Sequence, residues 1–274
     1  MSSATTKTGA PAWLLVFCTT VMPFATFADS GNRAAVIADA TAPGTNAVDD
    51  VRQTTLIDAA LRPDVGPRPE LIGTTLETRE AIAQAAAVNG CSGPGADALA
   101  AVLPVATDHG SHASGVVFQR GRVLTAAHAV EGASRFFVRT DEDFRRADLI
   151  SVDHEADLAV LAIDTGDIQP LPLAGAELTA EEPVWAVGFP RARALETTSG
   201  VFQRVSDGAV HTSASIDSGQ SGGGLLSCTG GEYAIAGMLR GYGAYRSGDR
   251  YVKLDNHSVS VAARTIQHFL SVSR

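Results

Sequence analysis

From about residue 98 onward, apolar positions fall in short runs separated by Gly, Pro or Asp, at intervals of about 8–14 residues. "SGVVFQRGRVLTAA" is two such runs around Gly121 and predicts a hairpin. "SRFFVRT", "ADLISVD", "DLAVLAID", "PVWAVGFP", "GVFQRV", "AVHTSAS", "GGGLLS" and "YAIAGMLRG" continue the series. Many short strands with turn residues between them predict an all-β chain, a sandwich or a pair of barrels. The period changes in "SVAARTIQHFL", where Val261, Thr265, Ile266 and Phe269 share one helical face, so a C-terminal helix is expected. Ahead of the strands the pattern is weak. Residues 29–70 are rich in Ala, Thr, Asp and Pro and close on "RPDVGPRPE", the composition of a linker or pro-segment. A helix is expected after it: Thr74 and Glu77 have capping-box spacing, "ETREAIAQAAAVNG" is helix-forming, and Gly90 ends it.

Composition narrows the class. The chain is 45% apolar and 19% charged, enough to bury a globular core. Its net charge of −9 leaves no basic footprint for nucleic acid. Residues 9–28, "GAPAWLLVFCTTVMPFATFA", are uncharged and follow Lys7. Thr19, Thr20 and Pro23 make them a poor membrane span, and Thr26 and Ala28 are small residues at the −3 and −1 positions of a cleavage site. A secretory signal over 1–28 is expected, with an uncleaved anchor as the alternative; Phe17 before Cys18 disfavours a lipoprotein signal. The expected location is secreted or periplasmic, with no stable membrane span once the signal is removed. The remaining cysteines, Cys91 and Cys228, are expected to form one disulfide tying residues 29–97 to the rest of the chain, against an alternative of two independent thiols. Two cysteines without a histidine partner make no zinc site, and no cofactor or metal is implied.

Three segments carry chemistry. "VLTAAHAVEG" places His128 after a strand, "HEADLAVL" places Asp157 at the head of an apolar run, and "SIDSGQSGGGLL" surrounds Ser221 with glycines. A serine hydroxyl is a poor nucleophile near neutral pH. It needs a base, and the base needs a partner that fixes its tautomer and stabilises the imidazolium. A tetrahedral intermediate also needs backbone N–H donors aimed at its oxyanion. Two N–H groups two residues apart converge only if the loop takes an unusual dihedral, which glycine adopts cheaply. Gly219 and Ser221 have that spacing.

"TAAH", "DLAVL" and "GQSGGG" in this order, with "VWAVGFP" between the last two, resemble the chymotrypsin/trypsin-like serine peptidases, above all the compact bacterial secreted members. The resemblance covers residues 98–274. It implies two six-stranded Greek-key β-barrels with a catalytic cleft between them and protein or peptide substrates. It also implies His128 as general base, Asp157 as its orienter, Ser221 as nucleophile, and Gly219 and Ser221 as oxyanion donors. The chain departs from the family in three places. Gln220 stands before the nucleophile where Asp or Asn is usual, so activation by a buried N-terminal amine is not expected. Gly224 stands where Pro is usual. The short tail after Ser221 has no room for a trailing peptide-binding domain. Ser215 occupies the pocket-base position that is acidic in members specific for Arg or Lys, so cleavage after basic residues is not expected to dominate. Arg240, in "GMLRGYG", is a candidate for lining the substrate strand and favouring acidic side chains, or for pointing to solvent.

Alternatives exist for each residue. His128 is read against a structural histidine, and Asp157 against its neighbours Asp153, Glu155 and Asp164. His154 is the rival base, His109 and His112 the only metal candidates, and His211 a residue near the cleft or a plain strand position. A protease fold that binds or scaffolds without catalysis is the alternative to an exported serine endopeptidase.

Overall fold

Twelve strands in the computed structural model close into two antiparallel barrels of six. Residues 14–17, 20–21, 90–247 and 249–272 are described. The residues of the expected linker, most of those of the expected signal and the expected helix ending at Gly90 lie outside them.

The first barrel contains β1 (Val102–Thr107), β2 (Ser111–Gln119), β3 (Arg122–Thr125), β4 (Phe136–Arg139), β5 (Phe144–Asp153) and β6 (Leu158–Ala162). Its order is β2-β1-β4-β5-β6-β3, and β3 pairs back onto β2. The β2–β3 connection is the hairpin expected at Gly121, which takes φ +74°. The second barrel contains β7 (Pro183–Gly188), β8 (Glu196–Ser206), β9 (Ala209–Thr212), β10 (Gly224–Thr229), β11 (Glu232–Ser247) and β12 (Arg250–Ala262). Its order is β11-β10-β7-β8-β9-β12, closed by β11 on β12. Two short strands precede the barrels: Leu14–Phe17 pairs along β11 and Thr20–Val21 along β2.

Strands read from apolar runs are where those runs lie, because each barrel packs its interior with them: Val116, Val123, Leu124, Leu158 and Leu161 in the first, Val184, Ala186, Leu225 and Leu239 in the second. β1 and β12 lacked that signal. β12 reads "RYVKLDNHSVSVA", and its burial begins only at His257. The strand runs to Ala262, so Val261 is a strand residue, and the terminal helix α3 (Ala263–Val272) buries Ala263, Ile266 and Phe269. Two short helices also escaped the sequence pattern: α1 (Ala96–Ala100) and α2 (Ala127–Val130).

Cys91 is buried, and its sulfur is bonded to that of Cys228 on β10 across a separation of 137 residues. Beside this link the Gly93 N–H donates to the Tyr233 hydroxyl at 2.9 Å, and the Tyr233 ring packs edge-on to Trp185. No helix among the described residues is long and apolar enough to cross a membrane.

The second barrel encloses a histidine pair. His211 on β9 and His257 on β12 are both buried, with His211 Nδ1 3.1 Å from His257 Nε2. Burial first, then the Arg204 charge and His257, pushes His211 down to about 4; burial and Arg204 also lower His257. A base whose pKa is lower folded than unfolded takes up protons on unfolding. The stability it contributes is therefore complete above the unfolded value near 6.5, and is lost as pH falls from there toward 4. The thermal midpoint is expected to fall between pH 7.5 and pH 5. His211→Asn should flatten that slope, and an unchanged slope in the variant would exclude the pair as its source.

Candidate active site

Asp157 reaches the cleft because of its backbone. It ends the turn between β5 and β6 with φ +57°, a left-handed conformation that Asp tolerates better than most residues. Asp153 shapes the same turn: its Oδ1 accepts the N–H groups of Glu155 and Ala156 at 2.9 Å each. Asp164 accepts from Gly166 N–H in the next loop. Those two acids cap turns, Glu155 and His154 are exposed, and Asp157 alone of the group is buried, at 3% exposure.

His128 follows from "TAA". Thr125 ends β3, and its Oγ1 donates to the Ser114 carbonyl at 2.7 Å. Ala126 and Ala127 are small enough to be wholly buried, so α2 begins flush against the barrel and carries His128 in its first turn. The His128 backbone N–H donates to Asp157 Oδ1 at 3.0 Å, and its Nδ1 lies 2.9 Å from both carboxylate oxygens. An Nδ1–H donated to a carboxylate leaves Nε2 as the basic nitrogen.

Ser221 lies on the loop between β9 and β10. The Asp217 N–H donates to Gln220 Oε1 at 2.7 Å and the Gln220 N–H to the Asp217 carbonyl at 3.1 Å, so the Gln220 side chain, 1% exposed, closes the turn from inside. Gly223 N–H donates to Gln220, and Gly222 N–H to Leu239. Gly219 has φ +90°, and a Cβ there would lie 2.7 Å from the Phe189 carbonyl oxygen. The Ser221 Oγ donates to the Arg240 carbonyl at 3.4 Å.

Two contributions were not legible in the sequence. Ser114, on β2 of the first barrel, is wholly buried against the second. Its Oγ accepts the Phe189 N–H and donates to the Gly219 carbonyl, both at 2.9 Å, and its N–H donates to the Ser221 carbonyl at 2.8 Å. A serine inside an apolar strand was the signal available, but nothing local identified its partners. Arg240 is the second. Its Nε donates to Asp157 Oδ2 at 3.1 Å.

The surroundings of the remaining candidates are also defined. Ser215 accepts the Thr198 hydroxyl on its carbonyl, and Ile216 beside it is buried. Asp217 is ion-paired with Arg191 and accepts the Ser218 N–H. His112 is buried on β2, whereas His109 is exposed. No group of three or more metal-ligating side chains occurs among the described residues.

Residues 113–235 match the trypsin-like peptidase domain. A probable periplasmic serine endoprotease, DegP-like, from Hahella chejuensis is 33% identical over 125 residues, 42% of this chain and 27% of that protein. The serine protease HTRA1 of Xenopus laevis is 32% identical over 130 residues, 42% of this chain and 28% of that protein. The chain thus spans just over a quarter of the length of the curated relatives it matches. Among solved structures, the serine endoprotease from Yersinia pestis has a TM-score of 0.55 at 23% identity, covering 70% of this chain and 66% of that one. An inactive form of the protease Rv3671c from M. tuberculosis has a TM-score of 0.52 at 18% identity, covering 77% and 98%. Both share the two-barrel fold.

Proposed function

We propose that this chain is an exported serine endopeptidase of the chymotrypsin/trypsin-like kind, acting through His128, Asp157 and Ser221. The observation that carries the proposal is the buried Asp157 carboxylate held on His128 Nδ1, with Arg240 meeting both that carboxylate and the hydroxyl of Ser221 in its glycine-rich loop. With Nδ1–H donated to Asp157, Nε2 takes the proton as Ser221 Oγ attacks the scissile carbonyl carbon. The oxyanion is received by the N–H groups of Gly219 and Ser221. The imidazolium returns its proton to the leaving amine, leaving an acyl-enzyme. Water, deprotonated by the same imidazole, then releases the acid and frees the serine. No step calls for a metal or cofactor.

Peptide or protein is the substrate class. Ser215 and Ile216 offer no counter-charge at the proposed pocket base, and Asp217 is occupied by Arg191, so Arg and Lys are disfavoured by the cost of burying a cation there. Export is supported by the uncharged leader and by relatives described as periplasmic. The Cys91–Cys228 bond fits the same destination. Closing a loop of 137 residues stabilises by about 5 kcal/mol at most. Thiol labelling of the unreduced, unfolded protein is expected to find neither Cys91 nor Cys228, and two reactive thiols per mature chain would remove the bond.

The deciding experiment is fluorophosphonate labelling of the mature chain together with peptide-library cleavage. Labelling with cleavage after residues other than Arg and Lys is expected. Absence of both would favour the binding or scaffold alternative.

A further inference from the structure

Asp157 belongs to the first barrel and Arg240 to the second, and their side chains meet across the cleft. Arg240 is placed for this by a β-bulge: the β11–β12 register shifts between Leu239 and Gly241, so Arg240 falls between paired positions. A bulge of this kind re-aims a side chain out of the strand's alternation. The guanidinium Nε donates to Asp157 Oδ2 at 3.1 Å, while Oδ1 takes the His128 backbone N–H at 3.0 Å and Nδ1 at 2.9 Å. The Asp157 side chain is 4% exposed and that of Arg240 23%. A carboxylate this buried needs counter-charge, and the guanidinium of Arg240 carries a permanent one. The same residue's carbonyl meets Ser221 Oγ at 3.4 Å, so one residue touches acid and nucleophile at once.

We propose that Arg240 is a positioning residue: it latches the second barrel to the catalytic acid, fixing Asp157 against His128 and its own carbonyl against Ser221, and does not select substrate. The proposal rests on the peptidase activity proposed above. Removing the guanidinium should leave peptide binding unchanged and slow the chemical step, because the substrate does not touch it and the base loses its fixed partner.

The experiment compares wild type, Arg240→Gln, Arg240→Lys, Asp157→Asn and the double variant Asp157→Asn/Arg240→Gln. Substrates are matched peptides with a neutral or an acidic residue before the scissile bond, and each variant's thermal unfolding is followed. Arg240→Gln should lower kcat about tenfold to a hundredfold on both peptides, with KM within about twofold. Arg240→Lys should recover part of that loss, since it restores the charge but not the planar donor. Within the Asp157→Asn background, removing Arg240 should change turnover less than about twofold, because its effect passes through the carboxylate. A loss confined to KM, or to the acidic peptide, would make Arg240 a specificity residue and overturn the proposal. So would loss of cooperative unfolding in both Arg240 variants, which would make it a residue of the fold. An active wild type with an unaffected Arg240→Gln overturns the proposal alone. An inert wild type that no fluorophosphonate labels overturns the peptidase assignment and takes the proposal with it.

Discussion

Ser221→Ala is expected to reduce peptide hydrolysis by a factor on the order of a million while leaving the fold intact. Ser221 is wholly buried in its loop, its Oγ makes a long contact to the Arg240 carbonyl, and the backbone that shapes the loop is untouched by the change. The Ser221 carbonyl would still accept from Ser114 N–H, and Gln220 would still close the turn at Asp217. The thermal midpoint should therefore move by only a few degrees, the effect of about 1 kcal/mol of lost side-chain hydrogen bonding. Fluorophosphonate labelling should vanish together with turnover. Hydrolysis that persists in this variant at more than about one part in a thousand would place the nucleophile elsewhere.

Gly222→Ala is expected to cost both stability and activity, by at least about 3 kcal/mol and a fall in midpoint of roughly 6–12 °C. Gly222 has φ +83°, which an L side chain adopts only under strain. A Cβ there would lie 2.2 Å from the Ser114 carbonyl oxygen, 2.4 Å from Thr125 Oγ1 and 2.9 Å from the Ala126 nitrogen. Two of these are backbone atoms, and the third is held by its own hydrogen bond to Ser114, so none can swing aside. Relief requires moving the Ser221 loop away from β2 and from the lead into α2, which carries His128. Gly208→Ala is the matched control: φ is +76° there, but nothing lies within 4 Å of the added carbon. It should lose only the dihedral cost of about 1 kcal/mol. Equal effects from the two substitutions would show that conformation, not the close approach of the barrels at Gly222, governs this position.

These expectations divide along the line between local and long-range information. The all-β class, the hairpin at Gly121 and the terminal helix follow from residue type and spacing, and the motifs around His128, Asp157 and Ser221 mark those residues as the proposed triad. Each depends on neighbours in sequence: apolar runs that fill a barrel, alanines that let a helix begin against a strand, glycines that free a loop. Where the local pattern was ambiguous, its boundaries drifted. β12 is polar over its first half and gains its place by pairing with β9 and β11, a contact that no window of sequence reports. The helix α1 and the strand β1 gave no clear period of their own.

The site divides in the same way. Catalytic residue types are few, so a histidine, an acid and a serine in the right settings stand out along the chain. Ser114 and Arg240 do not stand out, because a serine in a strand and an arginine in a strand are ordinary until something meets them. Ser114 acquires its role only when the barrels pack, bringing Phe189, Gly219 and Ser221 to one hydroxyl and one N–H. Arg240 read from sequence faces either substrate or solvent; folded, it spans a separation of 83 residues to reach the Asp157 carboxylate. The sequence determined which groups this protein has available for chemistry. The tertiary structure decided what holds them in register, because hydrogen bonds between barrels depend on a few ångströms of relative placement that only the closed fold sets.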